Sequence, residues 1–436
     1  MRVVALGSAF MLTRPTYASS YEHGRLPPRS RSSGNHMRRL SRRRARWLER
    51  YARAGCARNS CNKARRKLYI HKKIGLVAES DARPRVSLYS EGRITDAILT
   101  GEKKSVPKTL SFRADSWDDT VEFLESVGIG LNRLPIQTRS LRRTQKRSTL
   151  ELPSYWDFST IEKIDPSVAL ILASEYDRAR TVKGWVPRAV EIDKWNPSVL
   201  RMLSDIGFLT LAGVEVPGDD VLPMPGGRFL KLRRGKSADG RAVADHISAL
   251  GVDLTHEDPR LNDAIMEAIT NTVHHAYRDS ELCEPFRLKA WWIAASLIDL
   301  GERRNLQIAV YDQGASIPRT LPMWQKYPLL ERKLRQASSM LPGVSREPNP
   351  IDTTYDGRAI ELAIEIGRTS TAESNRGKGL NQIAQALDLA RGGSVTIFSR
   401  CGVWRRVWGG VESSETRKKP LRGTLVLWNL DLEPQQ

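Results

Sequence analysis

One stretch of the sequence places three polar side chains at intervals of four residues. Glu267, Asn271 and His275 have this spacing, and residues four apart in an α-helix lie on nearly the same face. An amide oxygen such as that of Asn271 is a hard ligand that suits Mg²⁺, and a carboxylate one turn away can polarise an attacking water or hydroxyl. The pattern predicts Asn271 as a metal ligand and Glu267 as a general base. The alternative is an amphipathic helix whose exposed face carries these three residue types with no chemical role.

The helix that must position these residues is indicated by the apolar residues around them. Asp258 can cap its N-terminus, and Pro259 fits its first turn. A second set of residues recurs at helical spacing and predicts a stripe that faces a core: Ile265, Ile269, Thr272, Val273 and Ala276. One face of the helix therefore packs, and the other is left to meet a ligand.

A second motif follows a predicted strand. Residues 306–311 alternate between large apolar side chains and smaller or more polar ones, which is typical of a half-buried strand, and Asp312 ends it. A carboxylate there can accept a hydrogen bond from an exocyclic amine such as that of adenine, and Gly314 lets a flat base approach the backbone. The alternative is an ordinary turn with Asp and Gly in their usual places.

Two further motifs involve glycine. Residues 376–380 read Arg-Gly-Lys-Gly-Leu and open a predicted helix with Gly377 and Gly379. The free backbone N–H groups and the positive end of the dipole at a helix start suit phosphates, and Lys378 adds positive charge. Residues 423–424, Gly-Thr, begin the last predicted strand.

In this order, the four motifs resemble those of the GHKL ATP-binding domain, which is shared by DNA gyrase, the large heat-shock chaperone, histidine kinases, MutL and the anti-sigma serine kinases. The resemblance covers residues 245–432 and implies a two-layer α/β sandwich of the Bergerat type, a mixed sheet with helices on one face. It implies ATP and Mg²⁺ as cofactors, with Glu267 as the catalytic residue and Asn271 as the metal ligand. The residues that it assigns to binding are Asn271, Asp312, Gly314, Ser316, Gly377, Lys378, Gly379, Leu380 and Thr424. Ser316 stands where many members have a second glycine, so we expect altered lid geometry.

The lid is expected between the first and second glycine motifs. Residues 319–376 are too many for a structureless connection inside a compact domain, and they include a helical pattern from Ala359 to Ile366. By the resemblance, this segment is an ATP lid.

Residues 86–226 predict a smaller α/β domain. Asp165 and Pro166 can start a helix, Ala189 to Ile192 predicts a short strand, and a further helix is stopped by Gly207. The segment weakly resembles the STAS domain of sulfate transporters and anti-anti-sigma factors, in which a turn at the start of a helix carries a phosphorylatable serine. Pro166 replaces the first serine of that turn, which leaves Ser167 as a weak substitute.

The charge of the chain is concentrated at its beginning. The 436 residues carry a formal net charge of +21, and residues 1–150 hold 33 of the 70 basic residues but only 12 of the 49 acidic ones. Residues 1–85 therefore predict a basic, largely disordered arm, of which residues 1–73 would attract nucleic acid. Cys56, Cys61 and His71 fit no common zinc template.

Cysteine usage and hydropathy indicate the compartment. Four cysteines are too few for a disulfide scaffold, and no apolar run reaches the roughly 18 residues that a membrane helix needs. We therefore expect a cytoplasmic protein with no membrane contact.

The resemblances to the GHKL and STAS domains imply a regulatory protein of the histidine kinase-like ATPase superfamily. It would be an ATPase or an anti-sigma-type protein serine kinase in signalling, acting on a protein partner, with a homodimer as one arrangement. A nucleic-acid-associated ATPase that uses residues 1–73 is the alternative from another class. A degenerate domain in which ATP is only structural is the third.

Overall fold

The computed structural model describes residues 84–90, 93–134, 150–214, 227–252, 259–278, 288–299, 304–339, 352–369 and 379–432. The chain divides into two compact units, residues 1–77 and 78–436, and every described residue belongs to the second. Some predicted features lie outside the described residues: the basic arm up to residue 83, the Cys56, Cys61 and His71 set, the Asp258 cap, and Gly377 and Lys378.

The first part of the described chain is mixed α/β. Its strands and helices are β1 (Arg85–Ser90), β2 (Arg93–Lys104), β3 (Thr109–Leu110), α1 (Trp117–Asn132), β4 (Leu150–Trp156), β5 (Lys163–Ile164), α2 (Pro166–Lys183), β6 (Ala189–Val190), α3 (Pro197–Asp205) and α4 (Phe208–Leu211). Strands β4-β2-β1-β6 form a sheet in which β2 and β4 are parallel and the other pairs antiparallel, while β3 and β5 form a separate parallel pair.

The second part contains a five-stranded sheet and six helices among its described residues. These elements are β7 (Gly227–Gly235), α5 (Gly240–Ser248), α6 (Pro259–Asn271), β8 (Trp291–Asp299), β9 (Arg304–Asp312), α7 (Ile317–Thr320), α8 (Tyr327–Ser339), α9 (Asp356–Thr369), α10 (Gly379–Gln385), β10 (Gly392–Val407) and β11 (Glu412–Leu432). The sheet order is β10-β11-β9-β8-β7, and each of these pairings is antiparallel. The expected mixed sheet is therefore wrong for the described strands. The strands β8 and β9 are consecutive in the chain, and so are β10 and β11. Strands that follow each other over a short connection pair antiparallel.

The helix signals predicted in the first part are confirmed. Helix α2 begins at Pro166 and ends before Gly184, whose φ is 80°. Gly207, with a φ of 89°, stops the next helical stretch. Asp165 occupies the N-cap position but makes no capping bond there, because its carboxylate accepts a hydrogen bond from Ser111 instead.

The five-stranded sheet has a core on each face. Successive strand side chains point to opposite faces, and on β9 the buried Ile308 and Val310 pack with α5, α6, α9 and α10. Ala309 and Tyr311, which alternate with them, are also buried and pack with α1 and α2. The prediction of a half-buried strand is thus wrong, because helices α1 and α2 cover the other face of the sheet. Each fully buried large apolar side chain contributes about 1.5–3 kcal/mol to stability.

That second layer comes from the segment predicted as a separate domain. Val127 of α1 and Leu170 of α2 belong to the same buried cluster as Tyr311 and Leu425 of the sheet. The described residues of 86–226 and 245–432 therefore share a core, and their division into two domains stays a prediction.

Two helices occupy the segment predicted as a lid. Helix α9 confirms the helical pattern from Ala359 to Ile366. Its Ile360 and Ile364 pack into the core on the sheet, while Ile366 joins a smaller cluster with α8. Helix α9 is therefore part of the framework of the fold, and the lid stays a prediction.

None of the helices in the described residues is both long enough and apolar enough to cross a bilayer. Helix α2, with 18 residues, buries a Glu175–Arg178 ion pair of 2.6 Å.

Candidate functional site

Helix α6 presents the predicted catalytic residues beside its buried face. Ile265 and Ile269 are fully buried against the sheet, whereas Glu267 and Asn271 are partly exposed. After Asn271 the chain continues as a turn of π-helix, Thr272–Ala276. Such turns are rare and are frequently found at functional sites.

Asp312 ends strand β9 on the face that α6 covers. Its carboxylate has the same strand parity as Ile308 and Val310, and the residue is 5% exposed. In the ladder between β9 and β11, Asp312 pairs directly with Thr424. The two residues that the resemblance assigns to the adenine ring are therefore neighbours on one face of the sheet.

The Asp312 carboxylate joins three segments of the chain. Its Oδ1 accepts a hydrogen bond from the backbone N–H of Gly314 at 2.7 Å. Its Oδ2 lies 3.3 Å from the Thr272 hydroxyl, which shares its one hydrogen between this carboxylate and the Ala268 carbonyl at 3.1 Å. Since Thr272 follows Asn271 directly, this second bond fixes the end of the Glu267–Asn271 helix to the end of β9.

Gly314 is required by the close approach of its turn to the π-helix. The backbone N–H of Ala315 donates to the carbonyl of Ala276 at 2.8 Å. A Cβ added at Gly314 would lie 2.3 Å from Ala276 Cβ and 2.5 Å from its carbonyl oxygen, both too close. Only glycine fits here without moving the backbone.

Thr424 is held by a residue that the sequence did not indicate. Its hydroxyl lies 2.8 Å from that of Ser399 on β10, and the Ser399 hydroxyl also accepts from the backbone N–H of Ile317 at 2.8 Å. Gly423, which precedes Thr424, has a φ of 78°, and a Cβ there would lie 1.9 Å from the Asp312 carbonyl oxygen. Strands β9, β10 and β11 and the turn after Asp312 are thus tied together around Thr424.

Glu267 contacts the second glycine motif. A Cβ built on Gly379 would lie 1.8 Å from Glu267 Oε1, so the absence of a side chain at Gly379 makes room for this carboxylate. Burial raises the pKa of the Glu267 carboxyl above its ordinary value, although the Asn271 side chain and the charge of His274 act in the opposite direction. A carboxyl with a raised pKa is a better proton acceptor once it is ionised.

Asn271 has an incompletely satisfied amide. Its Nδ2 lies near enough to Glu267 to lower the pKa of that carboxyl, but it is buried and meets no acceptor at hydrogen-bond geometry among the described residues. In the part of the chain that the structure describes, no group of three or more His, Cys, Asp or Glu side chains is placed to hold a metal ion. The oxygens of Glu267 and Asn271 fit Mg²⁺ that is held mainly by phosphates and water.

No protein-family model matches the chain, and neither a curated protein nor a solved structure gives a significant match.

The predicted residues are brought together in part. Asp312, Gly314 and Thr424 lie around the end of the α6 helix, and Gly379 contacts Glu267. Leu380 is partly buried and packs against the core. Ser316 lies in the same turn as Gly314, and both residues also line a cavity together with helices α1 and α2.

Sequence reasoning missed two positioning residues. Thr272 was assigned to the packing stripe of the helix, and it is indeed buried, but its hydroxyl also bonds Asp312. Ser399 lies in the buried middle of β10. The only feature of the sequence that indicates Ser399 is that it is a polar residue within an apolar strand, where a buried hydroxyl needs a hydrogen-bond partner.

Proposed function

We propose that the protein binds Mg-ATP between helix α6, the ends of β9 and β11, and the turn that enters α10, in the manner of the GHKL fold. One observation carries the proposal: helix α6 and the π-helical turn that continues it touch two of the other three motifs, Asp312 through Thr272 and Gly379 through Glu267. Three short segments far apart in the sequence thus meet around one helix, in the order and with the residue types that the resemblance requires.

The roles follow from the chemistry of each group. Asp312 is an acceptor for the adenine amine, and Thr424 beside it helps to hold the ring. The amide oxygen of Asn271 is a ligand for Mg²⁺, which supplies charge neutralisation for the phosphates. Glu267 orients and deprotonates the attacking hydroxyl or water.

The use of ATP that we favour is regulation of a protein partner, by an anti-sigma-type protein kinase or a nucleotide-dependent switch. Helices α1 and α2 pack on the back of the sheet whose front carries Asp312 and Thr424. Because packed cores transmit displacement, a change at the strand ends would reach the surface of the first α/β part. This arrangement suits a switch better than an isolated ATPase.

Equilibrium binding and phosphate release test the proposal. The full chain is titrated with ATP and GTP, each with and without Mg²⁺, and melting temperature and released phosphate are measured. We expect saturable binding of Mg-ATP and at least tenfold weaker binding of Mg-GTP, because guanine has a carbonyl where adenine offers its amine to Asp312. Equal binding of both nucleotides, or of neither, would overturn the proposed site.

The charge distribution supports the second candidate, a nucleic-acid-associated ATPase. Residues 1–73 carry 20 basic and two acidic side chains, and such a segment binds polyanions with an affinity that falls steeply with salt. Binding of double- and single-stranded DNA and RNA is measured at increasing salt for the full chain and for a chain lacking residues 1–73. Salt-dependent binding that is lost with the arm would favour this candidate, and no binding at low salt would exclude it.

A further inference from the structure

A cavity of about 420 Å³ lies on the face of the sheet opposite to helix α6. Tyr311, whose side chain points to the α1 and α2 face, contributes to its wall. Apolar side chains of α1, α2 and β11 line it as well: Val121, Leu124, Ile171 and Leu421. Its volume is in the range of small-molecule sites, which also combine an apolar lining with a few polar groups.

Ser316 supplies an unsatisfied polar group in this wall. The residue is 6% exposed, and its hydroxyl has no hydrogen-bond partner among the described residues. Its φ of 78° is uncommon for a residue other than glycine. Buried hydroxyls are nearly always hydrogen-bonded, and leaving one unpaired costs about 1–3 kcal/mol. An acceptor group on a bound molecule would remove this cost.

The buried charges around the cavity are neutralised by partners within the protein. Glu175 is neutralised by Arg178 at 2.6 Å and lies 3.8 Å from Arg422. Arg400 is paired with the buried Asp356.

Arg319 is different, because its guanidinium makes no ion pair or hydrogen bond within the described residues. It lies one turn after Ser316 and is exposed at the rim, as is Glu125 on the α1 side. The cavity therefore combines an available cation and a buried hydroxyl donor on one wall with an apolar surface on another.

We propose that this cavity binds a small organic anion with an apolar body, whose acid group is held by Arg319 and Ser316 and whose body lies against α1 and α2. The proposal does not depend on ATP binding, because Arg319 and the apolar residues of α1 and α2 have no role in the proposed nucleotide site. The turn of residues 314–316 is shared by both places.

Titration calorimetry of the full chain with three eight-carbon probes tests this proposal. Octanoate, octylamine and octan-1-ol have the same apolar body but an anionic, a cationic and a neutral head group. We expect saturable binding of octanoate with one site per chain, and at least tenfold weaker binding of the other two. The Arg319→Gln variant should weaken octanoate binding at least tenfold, Ser316→Ala should weaken it less, and Arg319→Lys should retain most of it.

Arg332→Gln is the matched control, because Arg332 is exposed on α8 and does not line the cavity. It makes the same change of charge and should bind octanoate as the unmodified chain does. Circular dichroism checks that each variant is folded, and Arg319 is exposed, so its replacement should not disturb the core. No saturable octanoate binding, equal binding of octylamine, or unchanged binding by Arg319→Gln would each overturn the proposal.

Discussion

Asp312 and Thr424 are directly paired across strands β9 and β11, and both point to the face that helix α6 covers. In the sequence they are separated by two glycine motifs and several helices, so the antiparallel ladder is what makes them neighbours. The Thr272 hydroxyl donates to Asp312 from the helix side. The carboxylate is thus fixed between the sheet and the helix that carries Glu267 and Asn271.

Replacing Asp312 by Asn tests the nucleotide assignment. The amide keeps the size of the carboxylate but loses the charge and one acceptor oxygen, so we expect Mg-ATP binding to weaken at least tenfold, in line with about 1.5–3 kcal/mol for a hydrogen bond to a charged group. Calorimetric titration with Mg-ATP measures the effect. Asp299→Asn is the control, since Asp299 lies at the far end of the same β8–β9 pair. Equal affinities of the two variants would show that Asp312 does not read the base.

Replacing Glu267 by Gln separates binding from turnover. Gln keeps the contact with Gly379 but cannot accept a proton, so we expect phosphate release or phosphotransfer to fall at least about 100-fold. Mg-ATP affinity should stay within about threefold. Single-turnover rates and equilibrium titration measure the two quantities. Turnover that survives in this variant would assign the base to another residue.

The pH dependence of turnover follows from the raised pKa of Glu267. A base must be ionised, so turnover of the unmodified chain should rise with pH through a pKa above the ordinary 4.5 of a glutamate.

The contribution of Glu267 to the free energy of unfolding should instead fall as pH rises. Because the folded chain holds this proton more tightly than the unfolded chain does, the contribution of Glu267 is present at low pH and is lost as pH rises through the raised pKa. Glu267→Gln should therefore melt higher than the unmodified chain at neutral pH, and the difference should shrink in acid.

The sequence predicted which strand or helix carries each motif, but it did not predict which helices pack on each face of the sheet. It predicted β9, its end at Asp312, and the helix that carries Glu267, because strand alternation and helical spacing are local signals. The predicted alternation placed Tyr311 on the solvent-facing side of the strand, but its side chain is 1% exposed. Its burial depends on α1 and α2, more than 100 residues earlier in the chain, and no local pattern carries that information.

Thr272 and Ser399 were missed for a related reason. A threonine in an apolar stripe is indistinguishable from a packing residue, since its methyl group does pack. Its hydroxyl becomes important only when β9 arrives beside it, and that contact is made by tertiary structure. Ser316 was assigned to the ATP site by the resemblance alone. In the structure it also lines a cavity with α1 and α2, the helices on the other face of the sheet.

Replacing Gly314 by Ala tests the close approach of its turn to the π-helical turn that follows α6. The new methyl would overlap the Cβ and the carbonyl oxygen of Ala276, and a backbone atom cannot move aside as a side chain can. We expect a loss of about 1–3 kcal/mol in the free energy of unfolding, measured by urea titration, and weaker Mg-ATP binding. Gly240→Ala is the control, because a methyl there meets only the flexible Met266 side chain at 3.5 Å or more. A Gly314→Ala variant as stable as this control would show that the contact with Ala276 does not hold the site together.

Replacing Thr272 by Val tests whether the bond to Asp312 positions the carboxylate. Val keeps the shape and the burial of the side chain and removes the hydroxyl with its contacts to Asp312 and to the Ala268 carbonyl. The fold should therefore lose about 1 kcal/mol and Mg-ATP binding should weaken about fivefold. Thr270→Val, two residues earlier on the same helix, makes the same chemical change away from Asp312 and should leave affinity unchanged. The Thr272→Val and Asp312→Asn changes should not be additive, because both act on the same interaction, and groups in contact couple by about 0.5–3 kcal/mol. Additive losses of affinity in the double variant would mean that Thr272 only packs, and that the convergence of the helix and the strand has no part in holding the ligand.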